Sequence, residues 1–204
     1  IIGMHGSGTT DITGNVNNAD ITVTKCADIA TATYGSGIVG CINTTCNVED
    51  CTNNGNILSS SGTMGGIVGS IFSGTEVIGE KTESGVVFTK NSGNIYLTDP
   101  DKNDVKMLGH TCSGGIAGEL RRTGGNGQQY LRIEYCWNEG AVGGCSDGAD
   151  YGIGGIVGRQ MWGGAGMTGA TEPRVLHCKN NGMVRATRNA EGTATLYNGA
   201  IAGL

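Results

Sequence analysis

Charge is scarce in this chain, and so are aromatics and proline. Only 15% of the 204 residues are charged, 5% are aromatic, and proline occurs twice. So few aromatics argue against a thick globular core. The Lys and Arg residues form no run and are not interleaved with aromatics, and the net charge is -5, so the signature of nucleic-acid binding is missing. No apolar stretch approaches the ~20 residues of a membrane span. No stretch shows a 3.6-residue apolar period with caps, which leaves little room for helix. Cys-x-x-Cys is absent, removing zinc ribbons and thioredoxin-type redox sites. No signal peptide is visible. The chain opens inside a motif at Ile1, implying that any leader has been removed or omitted.

Glycine is what the chain has in excess, 39 residues without a collagen period. Many of these belong to an internal repeat, and a repeat decides the architecture before any local reading does. One block reads Gly154-Gly155-Ile156-Val157-Gly158. It recurs around Ile1, Ile38, Ile67, Ile116 and Ile201. A second block fits [Val/Ile]-x-x-Cys-x-Asn-x-Gly-x-[Ile/Val] at 12–21, 48–57, 86–95, 133–142 and 175–184. Its Asn column is complete: Asn17, Asn53, Asn91, Asn138 and Asn180. The Cys column reads Asn15, Cys51, Thr89, Cys136, Cys178, and the Gly column Ala19, Gly55, Gly93, Gly140, Gly182.

Units therefore start near 1, 38, 67, 116 and 156, with an incomplete one at 201. Fixed blocks with variable spacing describe one solenoid domain over 1–204, with insertions as loops. The fold class is all-β, a parallel β-helix of about five coils. Long inserted loops are expected over 72–85, 98–112, 119–131 and 159–172. A β-branched pair between glycines reads as a short strand with turns at both ends. The three-residue spacing from Val to Cys implies a bend, and Asn-x-Gly a turn in which Gly supplies positive φ. About three strands per unit follow.

Parallel stacking at ~4.8 Å puts like residues over like. Three buried apolar columns are expected: Ile38, Ile67, Ile116, Ile156, Ile201; then Val48, Val86, Ile133, Val175; then Ile57, Ile95, Val142, Val184. An Asp at Ile116 should abolish folding, because a buried unpaired carboxylate is very costly. The Asn column is expected to form a ladder of side-chain amides.

The eight cysteines in a Gly/Asn/Thr-rich chain lean toward an oxidising compartment. Cys136 and Cys178 should be vertical neighbours, unpaired because parallel strands hold their Cβ atoms farther apart than a disulfide prefers. The disulfide candidates are Cys112 with Cys145, then Cys41 with Cys46.

The Gly-Gly-Ile-Val-Gly block followed by Cys-x-Asn-x-Gly-x-Val resembles the GLUG-motif repeats of bacterial secreted and surface proteins, over nearly the whole chain. The resemblance implies a β-helix-like scaffold and extracellular or cell-surface placement. Such repeats also accompany some immunoglobulin-A-cleaving metallopeptidases. No catalytic residue carries over: His-Glu-x-x-His is absent, and His5, His110 and His177 stand far apart.

Chemistry is then sought in the loops. Asp99, Asp101 and Asn103 have the spacing that opens a calcium loop, although the following positions lack the Gly and Glu an EF-hand requires. Glu119, Arg121, Arg122, Arg132 and Glu134 could line a lyase-like groove, against the plainer reading of a solvated charged loop. Trp162 and Trp137 are candidate sugar-stacking contacts, against a loop folded back on the coil. The first functional expectation is a non-catalytic structural or adhesive segment of a surface protein. Its partners would be other copies of itself or the rest of a longer surface protein, with glycan or host protein as further candidates. Because both ends carry the same motif, either the chain is a piece of a longer solenoid or copies stack head to tail into a filament or sheath. The alternative is a carbohydrate-active or glycan-binding β-helix with its site on the loops.

Overall fold

Short β-branched runs between glycines leave the chain little choice but brief strands joined by tight corners, and strands are what form. The computed structural model describes residues 2–8, 10–23, 33–59, 62–72, 75–82, 85–96, 112–121, 132–146, 151–161, 174–188 and 196–201. Among them there is no helix. The body is all-β, built almost wholly of parallel strands in stacked sheets, consistent with a β-solenoid.

Among the described residues, five sheets of five strands each run through the stack. Sheet I joins Ile2–His5, Val39–Ile42, Val68–Ile71, Ala117–Arg121 and Val157–Met161. Sheet II joins Thr10–Thr13, Cys46–Glu49, Thr75–Ile78, Arg132–Glu134 and Arg174–Leu176. Sheet III holds the Asn column, with strands such as Thr89–Asn91 and Cys136–Asn138. Sheet IV starts at Ile21, Ile57, Ile95, Val142 and Val184. Sheet V holds the residues leading into the Gly-rich block, such as Thr63–Gly65 and Cys112–Gly114. Each full repeat thus gives five strands where the sequence suggests three. The expected bend between Val and Cys is sharp enough to separate sheets II and III: Asp50, Tyr135 and His177 turn there with φ near 50°.

The first and third expected apolar columns form. Ile38, Ile67, Ile116 and Ile156 are wholly buried, and Ile201, on the last strand layer, is 38% exposed. Ile57, Ile95 and Val142 stack in register, continuing to Ile21 below and Val184 above. The second column needs a correction. Val48 pairs with Val77, which pairs with Ile133, so Val77 holds the expected place of Val86. Val86 is 39% exposed, on an antiparallel hairpin of Glu80–Thr82 and Gly85–Val87. This hairpin is inserted just after the bend, at Gly79, and returns the chain at the spacing that mimics the motif. The supposed loop over 72–85 therefore contains a core strand, Thr75–Ile78, and one arm of the hairpin.

Among the described residues the core falls into two clusters. The larger runs between sheets I and II, with Ile38, Ile67, Ile116 and Ile156 packed on Val48, Val77 and Ile133. The smaller, with Ile57, Met64, Ile95, Val142 and Ile153, lies between sheets IV and V.

Candidate functional site

The repeated polar residues meet inside the stack. Asn17 Nδ2 donates to Asn53 Oδ1 at 2.7 Å, Asn53 to Asn91 at 2.8 Å, Asn91 to Asn138 at 2.7 Å, and Asn138 to Asn180 at 2.8 Å. Each Nδ2 also donates to the carbonyl two residues on, at Ala19, Gly55, Gly93, Gly140 and Gly182. Both amide protons and the amide oxygen are thereby used, which lets Asn53, Asn91 and Asn138 sit fully buried. A second, outer ladder runs beside it: Asn56 Nδ2 donates to Asp20 Oδ1 and Asn94 Nδ2 to Asn56 Oδ1.

The Cys column has a purpose that the sequence does not announce. At the bend, the carbonyl two residues earlier takes a side-chain donor, at Glu49, Glu134 and Leu176 in addition to a backbone N–H from the preceding repeat. Asn15 Nδ2 donates to Thr13 O, Cys51 Sγ to Glu49 O, Cys136 Sγ to Glu134 O and Cys178 Sγ to Leu176 O. A small side chain that carries a donor fits this corner, and Asn and Cys both supply one.

These thiols are not cross-linked. Cys41, Cys46, Cys51, Cys112, Cys136 and Cys178 are free. Cys136 and Cys178 are vertical neighbours, one residue before the paired Trp137 and Lys179. Cys112 is buried on sheet V, and its expected partner Cys145 pairs through its backbone with Thr187, its side chain lying outside the described residues. Cys41 and Cys46, the other expected pair, are separately buried on sheets I and II. Burial pushes the Cys136 thiol well up, whereas its interaction with the neighbouring Cys136 thiol holds the Cys178 thiol down. Burial lifts Cys46 and Cys112 to about 11.

The outer face of sheet III gathers an aromatic and cationic column. Its outward column is Val16, Thr52, Lys90, Trp137 and Lys179. Lys90 Nζ stands 4.6 Å from the Trp137 ring centre, and Lys179 Nζ 5.6 Å from it and 4.8 Å from that of Phe88. Phe88 meets Trp137 edge-on at 5.6 Å. Lys90 is ion-paired to Glu139 at 2.7 Å, and that hydrogen bond, with Ser92 adding a second, holds the Glu139 carboxyl below its ordinary range. Trp137 Nε1 is buried and has no hydrogen-bond partner among the described residues. Around the bend, Tyr135 stacks on His177 at 5.0 Å, while Glu134 takes an ion pair from Arg132 at 3.2 Å.

Of the expected site residues, the Asn ladder and Trp137 are where they can be examined. Asp99, Asp101, Asn103 and Trp162 lie outside the described residues. The charged cluster divides: Glu119 and Arg121 are on sheet I, Arg132 and Glu134 on sheet II, and Arg122 lies outside the described residues. Glu119 is buried and accepts from Ser70 Oγ at 3.4 Å. Among the described residues, no three His, Cys, Asp or Glu side chains group as metal ligands, and no helix is long and apolar enough to cross a membrane. Lys90, Lys179 and Phe88 were missed as site residues. The signal was available in the residue between Cys and Asn of the motif, which read as a column gives Thr52, Lys90, Trp137 and Lys179. No family model, curated protein or solved structure matches this chain.

Proposed function

We propose that this chain is a non-catalytic structural or adhesive segment of a secreted or cell-surface protein. It would be a right-handed parallel β-helix of about five coils of the GLUG-repeat kind, with inserted loops carried on its outside. One observation carries the reading: the repeated Asn positions are spent on holding one repeat to the next, in the unbroken ladder from Asn17 to Asn180, and the repeated Gly positions on letting the coils approach. A motif used for stacking builds a stiff spacer whose exposed faces are free to differ. Its partners would be the rest of a longer surface protein, other copies of itself, glycan or host protein. Surface shaving of intact source cells, with reducing-sugar release measured on a panel of polysaccharides, tests it. Recovery of peptides from intact cells with no sugar release is expected; turnover of a polysaccharide would overturn it.

A second reading is favoured by the Lys90–Trp137–Lys179 column, namely glycan binding on the outer face. Aromatic and cationic groups in one column suit an acidic sugar polymer, which can stack on a ring and pair with ammonium groups. On an array of acidic and neutral glycans, Trp137→Ala would lose acidic binders; an unchanged pattern removes this reading.

A further inference from the structure

Two glycine columns run through the stack, and each ends on an alanine. The first is Ala19, Gly55, Gly93, Gly140, Gly182. The second is Gly37, Gly66, Gly115, Gly155, Ala200. None of these glycines has the positive φ that would call for glycine on conformational grounds. The need is for space. A Cβ at Gly55, Gly93, Gly140 or Gly182 would stand 1.9 Å from the carbonyl oxygen of the same column in the preceding repeat. A Cβ at Gly66, Gly115 or Gly155 would stand 2.1 Å from the carbonyl oxygen of the following repeat, and one at Gly37 2.6 Å away. The first column therefore points down the stack and the second points up it.

Alanine occupies each column at the one layer where its methyl points off the described stack. Both Ala19 and Ala200 are exposed. In the first repeat a second feature agrees. The outer ladder donates downward, Asn94 to Asn56 and Asn56 to Asp20, and there ends on a carboxylate with no N–H to pass on.

We infer that Ala19 and Ala200 are stops: they prevent another coil of this pattern from stacking in register below the first repeat or above the last. Contacts between copies of this chain, or with whatever chain precedes or follows it, then do not extend the ladder through these two faces. This deepens the scaffold reading and rests on it, since it makes the ends of the stack boundaries rather than growth points.

The test is a pair of tandem fusions, residues 1–200 joined directly to a second copy of 1–204, so that Ala200 opens the block Ala-Ile-Ile-Gly. In one fusion the junction alanines stay. In the other, Ala200→Gly of the first copy and Ala19→Gly of the second restore both columns. Glycine ordinarily weakens a fold through chain entropy, so a gain can come only from space. The glycine fusion is expected to melt several degrees above the alanine fusion, in a single transition, while the alanine fusion melts like the single chain. Equal melting temperatures, or the reverse order, overturn the proposal. Sedimentation of the unfused chain needs no engineering: a particle whose size is independent of concentration is expected, and rods that lengthen with concentration by end-to-end coil stacking overturn it. The scaffold reading itself would survive either failure, because it rests on the ladder and not on the ends.

Discussion

Asn91 lies directly against Gly66: a Cβ added to that glycine would come within 2.4 Å of the Asn91 Cγ and 2.1 Å of the Gly115 carbonyl oxygen. The same relationship joins Gly37 to Asn53, Gly115 to Asn138 and Gly155 to Asn180. The two sequence blocks are therefore the two halves of one packing device. The second glycine of Gly-Gly-Ile-Val-Gly is the seat for the Asn of the following block.

Gly66→Ala should accordingly cost about 3 kcal/mol, the upper range for overpacking, because a backbone carbonyl cannot rotate away. Gly3→Ala, with nothing within 4 Å of its Cβ, should stay within about 0.5 kcal/mol of the parent. Urea denaturation of the two variants checks the contrast.

Asn91→Ala removes an acceptor from Asn53 and two donated bonds, at a fully buried position. A loss of about 2–3 kcal/mol is expected, in line with leaving buried groups unpaired. Asn180→Ala, at the half-buried end of the ladder, should cost less than half of that in the same measurement.

Val77→Ala should lose roughly 2–3 kcal/mol, from two methyl groups' transfer and the cavity left behind. Val86→Ala on the exposed hairpin should be close to neutral. Equal losses at the two positions would mean that the hairpin is misplaced and the register of the third repeat is wrong.

How much of this was legible beforehand follows from that third repeat. The Asn column and the Ile columns were readable because a stacked side chain must match its neighbour above and below, so the constraint recurs in the sequence. Val86 misled because an inserted hairpin can return the chain at the motif spacing, and spacing carries no information on which Val faces the core. The glycines of Asn-x-Gly were expected to supply a positive φ; they supply clearance for a carbonyl instead. The left-handed corner falls at Gly14, Asp50, Tyr135 and His177, and only the first of these is a residue type that flags it. Cys, Thr and Asn in one column looked like a disulfide or buried-thiol question. Three of the cysteines and Asn15 share one task, donating to a corner carbonyl, which spacing alone does not reveal. The Lys90–Trp137–Lys179 face was half readable, since Trp137 stood out and the lysines did not.

The thiols make the stack sensitive to alkali. Cys46 and Cys112 have their pKa raised from 9.0 to about 11 by burial. Below pH 9 they are protonated in both folded and unfolded chains, and they cost nothing. Between pH 9 and about 11 the unfolded chain releases their protons first, so stability falls as pH rises through that window. Urea midpoints in reducing buffer should drop from pH 8 to pH 10.5, and the drop should shrink in Cys112→Ala. Under the same reducing start, Cys178 should alkylate ahead of Cys136 at neutral pH, because its thiol is held low and its neighbour's is raised.

The most direct test of the account is the contact between side-chain amides far apart in sequence. In a uniformly labelled sample, the Nδ2 protons of Asn53, Asn91 and Asn138 should exchange slowly with solvent. Each should show nuclear Overhauser contacts to the Asn one repeat away, Asn53 to Asn91 and Asn91 to Asn138, 38 and 47 residues along the chain. A ladder of such contacts from Asn17 to Asn180 is the expected result. Rapid exchange of these amides, with contacts confined to residues near in sequence, would contradict the stacked structure and everything argued from it.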